Sequence, residues 1–410
     1  MSASITLGNE VRPVSFETSE SVGKEVDFLL PLALLPAMAT GSHLKLPARI
    51  SSQLFSAVPR IQDVFRLWGT EHWGAALPGA PVPGAKFQQI HVDSEVWSER
   101  DERGSGVACF FSGGVDSFYS VLKHHDEVTH LIFVHGFDIP LTNGVLRTQA
   151  SHMAREVARE LGKPLIEVET NLRSFSDTFI GWGAYQGGAL ASVGLLFQHL
   201  FHKVLIPSSH SYADLFPWGS HPLLDPLWST ELTRIEHDGC EATRVEKVAY
   251  ISRHETAMKW LRVCWGWNNK NNAYNCGHCE KCLRTMVNLR AAGALERCKT
   301  LPHNLDLRVV ANMNLSDESD EAFARENLNA LERLGTEPGL ALAVAEAMNK
   351  YRLGEFKTQL TLQVRAHVDK REWKRVMRGL LMLLRYHPRA LVRAYQKLGS
   401  PMRLRRWLRV

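Results

Sequence analysis

The chain has 410 residues and a mass of 46.2 kDa, with 45% hydrophobic and 22% charged residues. This composition is ordinary for soluble globular proteins and excludes a wholly disordered, fibrous or collagen-like chain. The longest apolar run, Phe28–Ala39, holds two prolines and is too short to span a bilayer. No basic and apolar leader opens the sequence, because Glu10 and Glu17 stand where a leader needs cations. We therefore expect a cytoplasmic protein.

The net charge of +5 is unevenly distributed along the chain. Residues 370–410 carry 13 Lys or Arg against one acidic residue, Glu372. The rest of the chain carries 35 basic and 42 acidic residues and is mildly acidic. Apolar residues alternate with the arginines of this basic tail, which we expect to be helical. The tail could pack on the protein body, lie on an anionic membrane surface or contact RNA.

At roughly 150 residues per domain, this length predicts two or three domains. We expect a separate α+β extension over residues 1–100, an α/β domain over residues 101–300 and a helical region over residues 301–410. The elements expected in the extension are strands at Ile5–Phe16 and Lys86–Val92, a helix at Ser51–Trp68, a turn-rich connector at Leu77–Gly84 and a charged link at Ser98–Gly106.

From Val107 onward, strand-like and helix-like segments alternate. The expected strands are Val107–Phe111, Val128–Val134, Pro164–Val168 and Lys203–Ile206. The expected helices are Ser117–His125, Thr148–Leu161, Ala184–Phe201, Leu283–Ala292, Asp317–Leu334 and Gly339–Lys350. This alternation predicts an α/β fold with a parallel sheet covered by helices on both faces. Ligands of such a sheet bind outside the carboxyl ends of its strands.

The most informative residues are Ser112–Ser117, SGGVDS, at the carboxyl end of the first of these strands. Adjacent glycines let a backbone approach a ligand closely and adopt positive φ. Backbone N–H groups before a helix form an anion site, to which Ser112 and Ser117 can add hydroxyl donors. The carboxylate of Asp116 would repel a phosphate unless a cation lay between them, which points to Mg²⁺. The alternative is a tight strand-to-helix turn, and the loop lacks the lysine of a Walker A motif.

This hexapeptide resembles the signature of the N-type ATP pyrophosphatases, the PP-loop superfamily. The resemblance implies a Rossmann-like fold of the adenine nucleotide α-hydrolase (HUP) type. It also implies that ATP is split between its α- and β-phosphates, that an acceptor oxygen is adenylated, and that a nitrogen or sulfur nucleophile displaces AMP. If the family's residue roles apply to this chain, ATP is held by Ser112, Gly113, Gly114, Val115, Asp116 and Ser117. Ser112, Asp116 and Ser117 would be the catalytic residues.

Seven cysteines in 410 residues are too few for a disulfide scaffold, and four of them form a local cluster. Cys264, Cys276, Cys279 and Cys282 follow the pattern C-x11-C-x2-C-x2-C. Four thiolates at this spacing predict a tetrahedral Zn²⁺ site, which would be structural because no coordination position stays open. His278 is a substitute ligand in the same segment. An iron–sulfur cluster and four unrelated buried cysteines are the alternatives.

A PP-loop domain followed by Asn275–Thr285, NCGHCEKCLRT, resembles the 7-cyano-7-deazaguanine synthase (QueC) family over about residues 107–292. The resemblance implies that Cys264, Cys276, Cys279 and Cys282 are zinc ligands behind the ATP domain. The chain departs from the family in its longer first spacer, its first hundred residues and its tail. The family's Tyr-Pro-Asp-Cys-Arg segment is replaced by Ser208–Ser220 and His221–Thr230.

Other candidate side chains lie at the expected carboxyl edge of the sheet. His135 follows the second strand and could contact the nucleotide, or be a satisfied strand-end histidine. Gln186–Gly188 could face the substrate crevice or pack helices closely. Arg244 and Lys247 could neutralise a phosphate or carboxylate, or form exposed salt bridges. The residues expected to bind the acceptor, or else to form an ordered polar loop, are Ser209, His210, Asp214, His221 and Asp225.

Together these features predict an ATP-dependent, AMP-forming amidating ligase. A carboxylate or carbonyl oxygen of a small-molecule acceptor would attack the α-phosphate of ATP, and ammonia or another amine would then displace AMP. Residue 2 is a serine and not a cysteine nucleophile, so no glutaminase domain is evident and a separate glutaminase could supply ammonia. The expected cofactors are ATP, Mg²⁺ and Zn²⁺.

Two other classes of function stay open. Thiolation of a tRNA or a small molecule would use the same adenylation and would need a cysteine pair outside the cluster. Only Cys109, Cys240 and Cys298 remain for that role, and Cys109 is expected to be buried in the first strand. The second alternative is a non-catalytic nucleotide sensor that docks through its basic tail.

Overall fold

The computed structural model describes residues 1–7, 10–68, 87–98, 104–264 and 273–369. The strands are β1 (Ser2–Leu7), β2 (Glu10–Thr18), β3 (Leu44–Lys45), β4 (Ile50–Ser51), β5 (Val92–Asp93), β6 (Val96–Trp97), β7 (Gly106–Phe110), β8 (His130–His135), β9 (Leu165–Thr170), β10 (Phe201–Pro207) and β11 (Arg234–Asp238). The α-helices are α1 (Leu29–Thr40), α2 (Ser52–Trp68), α3 (Val115–Lys123), α4 (Gly144–Leu161), α5 (Leu172–Ser176), α6 (Trp182–Leu195), α7 (Arg244–Ile251), α8 (Glu255–Trp260), α9 (Glu280–Ala291), α10 (Leu307–Ala311), α11 (Glu318–Leu334) and α12 (Pro338–Asp369).

Seven strands form the central sheet, in the order β1-β2-β9-β8-β7-β10-β11. Neighbouring strands from β9 to β11 are parallel, which confirms the expected parallel α/β sheet. At the other edge, β2 pairs with β9 and β1 pairs with β2 in antiparallel directions. The chain leaves β7 toward β8 and β9 on one side and later returns to β10 and β11 on the other. The order therefore reverses between β7 and β10, where an open α/β sheet forms its ligand crevice.

Strand β7 lies in the middle of the sheet, and all five of its residues are buried. Ala108 and Phe110 belong to the core packed with α1, α2 and α6. Val107 and Cys109 belong to the core on the other face, with α3, α4 and α7. Alternate side chains of a strand point to opposite faces, so this one strand contributes to both cores. A third core joins α9 to the helical C-terminal region, α10–α12.

The described parts of the first hundred residues contribute to the main core. Strand β2 extends the central sheet, and Phe16 lies in the same core as Ile166 of β9. Helix α1 packs on α6, where Tyr185 Oη donates a hydrogen bond to the carbonyl oxygen of Leu32 (2.6 Å). A strand pattern does not identify its pairing partner, so the continuity of this region with the sheet is not visible in the sequence.

The predicted elements are mostly present, with shifted ends. Helix α11 begins after Asp317, whose side chain caps it by accepting a hydrogen bond from the backbone N–H of Asp320. The helix predicted over Ala184–Phe201 already ends at Leu195, because residues 196–200 form the turn into β10. The prediction of a strand over Lys86–Val92 is wrong for most of its length, since strand pairing there is limited to β5. The sequence did not indicate the helices α1, α5, α7, α8 and α10, the strand β11 or the short strands β3, β4 and β6.

Several predicted segments fall outside the described residues. These are the basic tail at residues 370–410, the connector Leu77–Gly84 and part of the link Ser98–Gly106. In the ranges that the structure does describe, no helix combines the length and the apolar character needed to cross a membrane.

Candidate functional site

The glycine loop, Ser112–Ser117, joins β7 to α3 at the point where the strand order reverses. Gly113 has a φ of +77°, and a Cβ at this position would lie 2.4 Å from Cε of Met153. The backbone conformation therefore favours glycine, and a Cβ would also require the flexible end of the Met153 side chain to move. Ser112 is exposed and Ser117 is buried, with their hydroxyl oxygens 3.4 Å apart. Two hydroxyl groups and the N-terminus of a helix thus share one small site.

The rest of the loop begins α3. Gly114 is the N-cap of this helix, and Val115 packs into the core below it. Asp116 in the first turn forms ion pairs with Nη2 of Arg244 (3.1 Å) and Nζ of Lys247 (3.6 Å). The side chains of Arg244 and Lys247 are only 10% and 1% exposed, so of the two alternatives for these residues, the one of exposed salt bridges is wrong.

Helix α7 carries both cations. Arg244 and Lys247 are three residues apart and therefore share a face of the helix, whose start is fixed by a capping box at Thr243. The same two side chains hold the chain that follows β10. Lys247 Nζ donates to the carbonyl oxygen of Ser208 (2.7 Å), and Arg244 Nη2 donates to that of Ser209 (3.3 Å). The glycine loop and the segment after β10 are thereby tied to one pair of cations.

Several cations lie around Asp116. Burial alone would raise the pKa of Asp116, but Arg244, Lys247 and Lys281 hold it below its usual value, so the carboxylate is ionised. Burial in turn lowers the pKa of Arg244 and of Lys247, since their charged forms are partly desolvated. Glu326, Glu280 and Glu241 also act on these cations, and an added phosphate would be attracted to the same positive charges.

Arg262 contacts the loop through its backbone, and its side-chain charge interacts with Asp138 and with the thiols of Cys264 and Cys282. Its backbone N–H donates to the carbonyl oxygen of Gly113 (2.8 Å), and its side chain is buried. The Nε and Nη2 atoms find no hydrogen-bond acceptor in the described part of the chain. Leaving buried charged donors without acceptors costs on the order of several kcal/mol. A phosphate group at this place would supply the missing acceptors.

His135 lies at the carboxyl end of β8 and is largely satisfied within the protein. Its Nε2 is 3.1 Å from both Oε2 of Glu167 and Oγ of Ser151. Burial would raise the pKa of Glu167, but hydrogen bonds from His135, Ser151 and Arg155 lower it to about 2. The Nδ1 of His135 has no hydrogen-bond partner among the described residues, and it is the ring atom through which a nucleotide contact would be made.

A narrow pocket of about 50 Å³ lies at the carboxyl ends of β10 and β11. It brings together Ser209, His210 and His221, three of the five residues expected to bind the acceptor. Ser209 also connects this pocket to the glycine loop, since its Oγ lies 3.5 Å from Oδ2 of Asp116. The full lining consists of Gln186, Leu190, Pro207, Ser208, Ser209, His210, Leu215, Phe216, Trp218, Ser220, His221 and His237.

The other two expected acceptor residues lie outside the lining of the pocket. Asp214 forms an ion pair with Arg325 of α11 (2.7 Å). Asp225 is fully buried, and its Oδ2 accepts hydrogen bonds from Ser220 Oγ (2.7 Å) and pairs with His237 Nδ1 (2.7 Å). Asp225 can therefore act on a ligand only through the pocket residues that it holds.

The segment Gln186–Gly188 was expected either to face the substrate crevice or to allow close helix packing, and its residues do both. Gln186 lines the pocket. A Cβ at Gly187 would lie 2.0 Å from the carbonyl oxygen of Gly219, and one at Gly188 would lie 3.1 Å from that of Pro31. The two glycines thus permit close packing of α6 against its neighbours, while the glutamine reaches the pocket.

The His237–Asp225 pair should make stability depend on pH. Burial lowers the pKa of His237, but the hydrogen bond to Asp225 outweighs it and raises the pKa to about 9. The folded-state pKa lies above the unfolded value, so the pair stabilises fully below about pH 6.5 and loses this contribution as pH rises through about 9. We expect the deficit in unfolding free energy of His237→Gln to shrink by up to about 3 kcal/mol between about pH 6 and pH 10. Denaturant unfolding of both proteins measures this, and a deficit independent of pH would contradict the assignment.

The four clustered cysteines converge. The Sγ atoms of Cys264, Cys276, Cys279 and Cys282 lie within 4.8 Å of one another. Two of these separations are 3.8 Å, between Cys276 and Cys282, and 3.9 Å, between Cys264 and Cys279. Zn–S bonds of about 2.3 Å in a tetrahedron place the sulfur atoms roughly 3.8 Å apart. The cluster could therefore hold one zinc ion, whereas an iron–sulfur cluster places several ions between its ligands and needs more space.

Local structure explains this convergence. Gly277 has a φ of +75°, which turns the chain between Cys276 and Cys279. The backbone N–H of Cys279 donates to Sγ of Cys276 (3.3 Å), and Cys279 is also the N-cap of α9, whose dipole favours a thiolate. His278 is exposed, and its Nδ1 contacts the carbonyl oxygen of Cys276 (2.8 Å). This histidine is therefore not needed as a substitute ligand.

A short segment links the cysteine cluster to the glycine loop. Oδ1 of Asn275 accepts hydrogen bonds from the backbone N–H groups of Val263 (2.9 Å) and Cys264 (3.1 Å). Arg262, which contacts Gly113, lies between this segment and α8. Metal binding would fix this segment and with it the backbone contact between Arg262 and Gly113, which is the action of a structural metal.

Comparison with protein-family models, with curated proteins and with solved structures finds no match for this chain. The interpretation of the site therefore depends on its geometry and on the sequence motifs. Functional candidates that the sequence did not indicate are Arg262, Lys281, Trp218 and His237. Lys281 carries a weak signal, since it lies between two clustered cysteines.

Proposed function

We propose that this chain is an ATP-dependent, AMP-forming ligase of the PP-loop type, with a HUP-like fold and a structural zinc ion. The observation that carries this proposal is the SGGVDS loop among buried cations at the reversal of strand order. Arg262 lends support, because two of its side-chain nitrogens have no acceptor in the described ranges. The hexapeptide argues for ATP pyrophosphatase chemistry, and the cations argue for a polyphosphate ligand.

The proposed roles follow from the positions of the residues. The triphosphate lies over the glycine loop, where Ser112, Ser117 and the N-terminus of α3 contact the pyrophosphate that leaves. The buried cations stabilise the negative charge that develops on it, and they are already in place before the reaction. An oxygen of the acceptor, from a carboxylate or a carbonyl group, attacks the α-phosphorus, and pyrophosphate departs with the electron pair of the broken P–O bond.

Asp116 would hold Mg²⁺ together with phosphate oxygens. Its Oδ1 accepts no hydrogen bond from the described residues, and the ion-pair partner Lys247 is 3.6 Å away. Mg²⁺ is commonly bound by one or two carboxylates with phosphates and water. When bound, the ion polarises the phosphates and offsets the charge of pyrophosphate. The zinc ion held by four thiolates stays structural because it has no open position.

In the second half of the reaction, ammonia or another amine displaces AMP and gives an amide. A nitrile would form if the amide oxygen were then adenylated and AMP left together with a proton of the nitrogen. The resemblance to 7-cyano-7-deazaguanine synthases supports this outcome. The resemblance does not identify the acceptor, because Ser208–Ser220 replaces the corresponding family segment. A separate glutaminase is one source of ammonia. Contact of residues 370–410 with RNA or a membrane surface stays a prediction, as does a non-catalytic sensor role.

Thiolation is the second candidate, and Cys240 is the observation in its favour. The Sγ of Cys240 lies 3.2 Å from Oγ of Ser208, beside the pocket, whereas Cys109 is buried within β7 as predicted. Cys240 is itself only 2% exposed, which makes it a poor sulfur carrier without movement of the chain. Amide formation is therefore the better supported function.

Product analysis tests the proposal. The purified protein is incubated with ATP, Mg²⁺, ammonium and a pooled metabolite extract, and the nucleotides are separated. We expect AMP and pyrophosphate, formed only when the extract is present. ADP and inorganic phosphate as the products would overturn the PP-loop mechanism. A sulfur-dependent and ammonium-independent release of AMP would favour thiolation.

A further inference from the structure

His210 is a pocket residue with an unsatisfied side chain. Its ring is only 7% exposed and stacks on Phe323, with ring centroids 5.1 Å apart. Its Nε2 lies 3.4 Å from Oγ of Ser319. Its Nδ1 has no hydrogen-bond partner among the residues that the structure covers, and His210 lines the pocket. A buried polar atom of this kind is stabilised by a ligand that supplies the missing hydrogen bond.

The groups around His210 keep its ring neutral. Burial and then Arg244 lower its pKa, Asp116 opposes them, and Arg284 and Lys247 add to the lowering, which reaches about 3. A neutral imidazole has one nitrogen that accepts a hydrogen bond. The same cations and the same burial act on any ligand placed against this ring, and they disfavour a positive charge on it.

His221 presents a second neutral imidazole to the pocket. Burial and then His237 lower its pKa to about 4, although Asp225 opposes them. Its Nδ1 accepts a hydrogen bond from the backbone N–H of Leu223 (3.0 Å), so Nε2 carries the proton. The lining therefore offers both an acceptor, at His210, and a donor, at His221. The positive charge of His237 faces the buried carboxylate of Asp225.

The volume of the pocket limits the size of the ligand that it can bind. A water-sized group occupies roughly 10–15 Å³ in this kind of measure. A pocket of about 50 Å³ thus has room for about three to five such groups, and the aromatic rings of Phe216 and Trp218 form part of its lining. Ammonia and small aliphatic amines fit this volume, whereas a fused heterocycle does not.

We propose that this pocket binds the nitrogen nucleophile, as neutral ammonia or a small primary amine that donates an N–H to Nδ1 of His210. This inference rests on the proposed function and specifies its nitrogen donor. The positive surroundings favour the free base, which is the nucleophilic form. Ser209, in the same wall, lies 3.5 Å from Asp116 and so connects the amine to the adenylation site.

The chemical step balances without a further reactant. The nitrogen lone pair forms a bond to the activated carbon of the adenylated acceptor. The bond from that carbon to the AMP oxygen breaks, and AMP leaves with its electron pair. The attacking nitrogen loses one proton to solvent. The product is an amide or amidine, depending on whether a carboxylate or an amide oxygen was adenylated.

Binding is tested on the full chain without any acceptor. Histidine-specific ¹⁵N NMR follows the imidazole nitrogens while methylamine is added at about pH 9, where more of the amine is neutral than at pH 7. We expect the Nδ1 signal of His210 to shift in a saturable manner, and tetramethylammonium, which has no N–H group, to leave it in place. His202 is exposed on β10 and serves as an internal control signal. An unchanged His210 signal would overturn the proposal.

Kinetics separate this proposal from the proposed function. Exchange of labelled pyrophosphate into ATP reports adenylation alone, and release of AMP reports attack by the amine. For His210→Gln we expect pyrophosphate exchange within about twofold of wild type. The ammonium concentration needed for half-maximal AMP release should rise by up to about tenfold, as the loss of one hydrogen bond predicts. The variant His202→Gln should match wild type in both assays. Equal losses in both assays of His210→Gln would overturn the amine site, whereas absence of exchange in wild type would overturn the proposed function.

Discussion

Replacing Asp116 by asparagine should leave the chain folded and reduce AMP formation at least about a hundredfold. Asparagine keeps the volume and one acceptor oxygen near Arg244 and Lys247, but it removes the charge that would hold Mg²⁺. Alanine is a less informative choice, because it would leave two buried cations without their carboxylate and cost several kcal/mol, on the order of a broken buried ion pair. Circular dichroism and thermal unfolding establish the fold, and the extract-dependent assay measures AMP.

The matched control for this substitution is Asp126→Asn. Asp126 lies three residues after the end of α3, and its side chain is fully exposed. Among the described residues it interacts only with the neighbouring His125. We expect wild-type rates from this variant. Full activity of Asp116→Asn would show that the loop carboxylate has no part in catalysis and would remove the assignment of the glycine loop.

Serine in place of Cys279 should cost the protein both its zinc and much of its stability. Three thiolates and a hydroxyl hold zinc far more weakly than four thiolates. In small zinc domains the apparent binding free energy is about 10–16 kcal/mol, and it contributes directly to folding. We expect about one zinc per wild-type chain by elemental analysis, less than a tenth of that in the variant, and a thermal midpoint lowered by roughly 10 °C or more.

His278→Ala is the control for the cysteine cluster, since His278 lies between two of the cysteines and is exposed. It should keep its zinc and its thermal midpoint. A Cys279→Ser variant that is metal-free and as stable as wild type would refute a structural zinc site. Iron and sulfide in protein purified without oxygen would instead identify an iron–sulfur cluster.

The glycine loop and the cysteine cluster can be located from the sequence because each is a local pattern. Gly113 must adopt positive φ, and Cys276, Cys279 and Cys282 are spaced for one metal knuckle, so neighbours in the chain are also neighbours in space. The parallel sheet is predictable for a similar reason. Its strands are short apolar runs separated by helices, and this alternation permits few topologies.

The rest of the site depends on contacts between distant segments. Arg262 reaches Gly113 from about 150 residues further along the chain, and no spacing rule connects them. His237 is recognisable only after β11 is placed beside β10, where it meets Asp225. Helix α1 is buried along most of its length, so it has no polar face and no helical period for the sequence to display.

The most direct test of the account compares two ATP analogues in the extract-dependent assay. One has a methylene bridge between the α- and β-phosphates, and the other has an imido bridge between the β- and γ-phosphates. Cleavage over the glycine loop between the α- and β-phosphates predicts that the imido analogue yields AMP and imidodiphosphate, while the methylene analogue yields no AMP. Release of inorganic phosphate from the methylene analogue, with the imido analogue inert, would contradict the central claim.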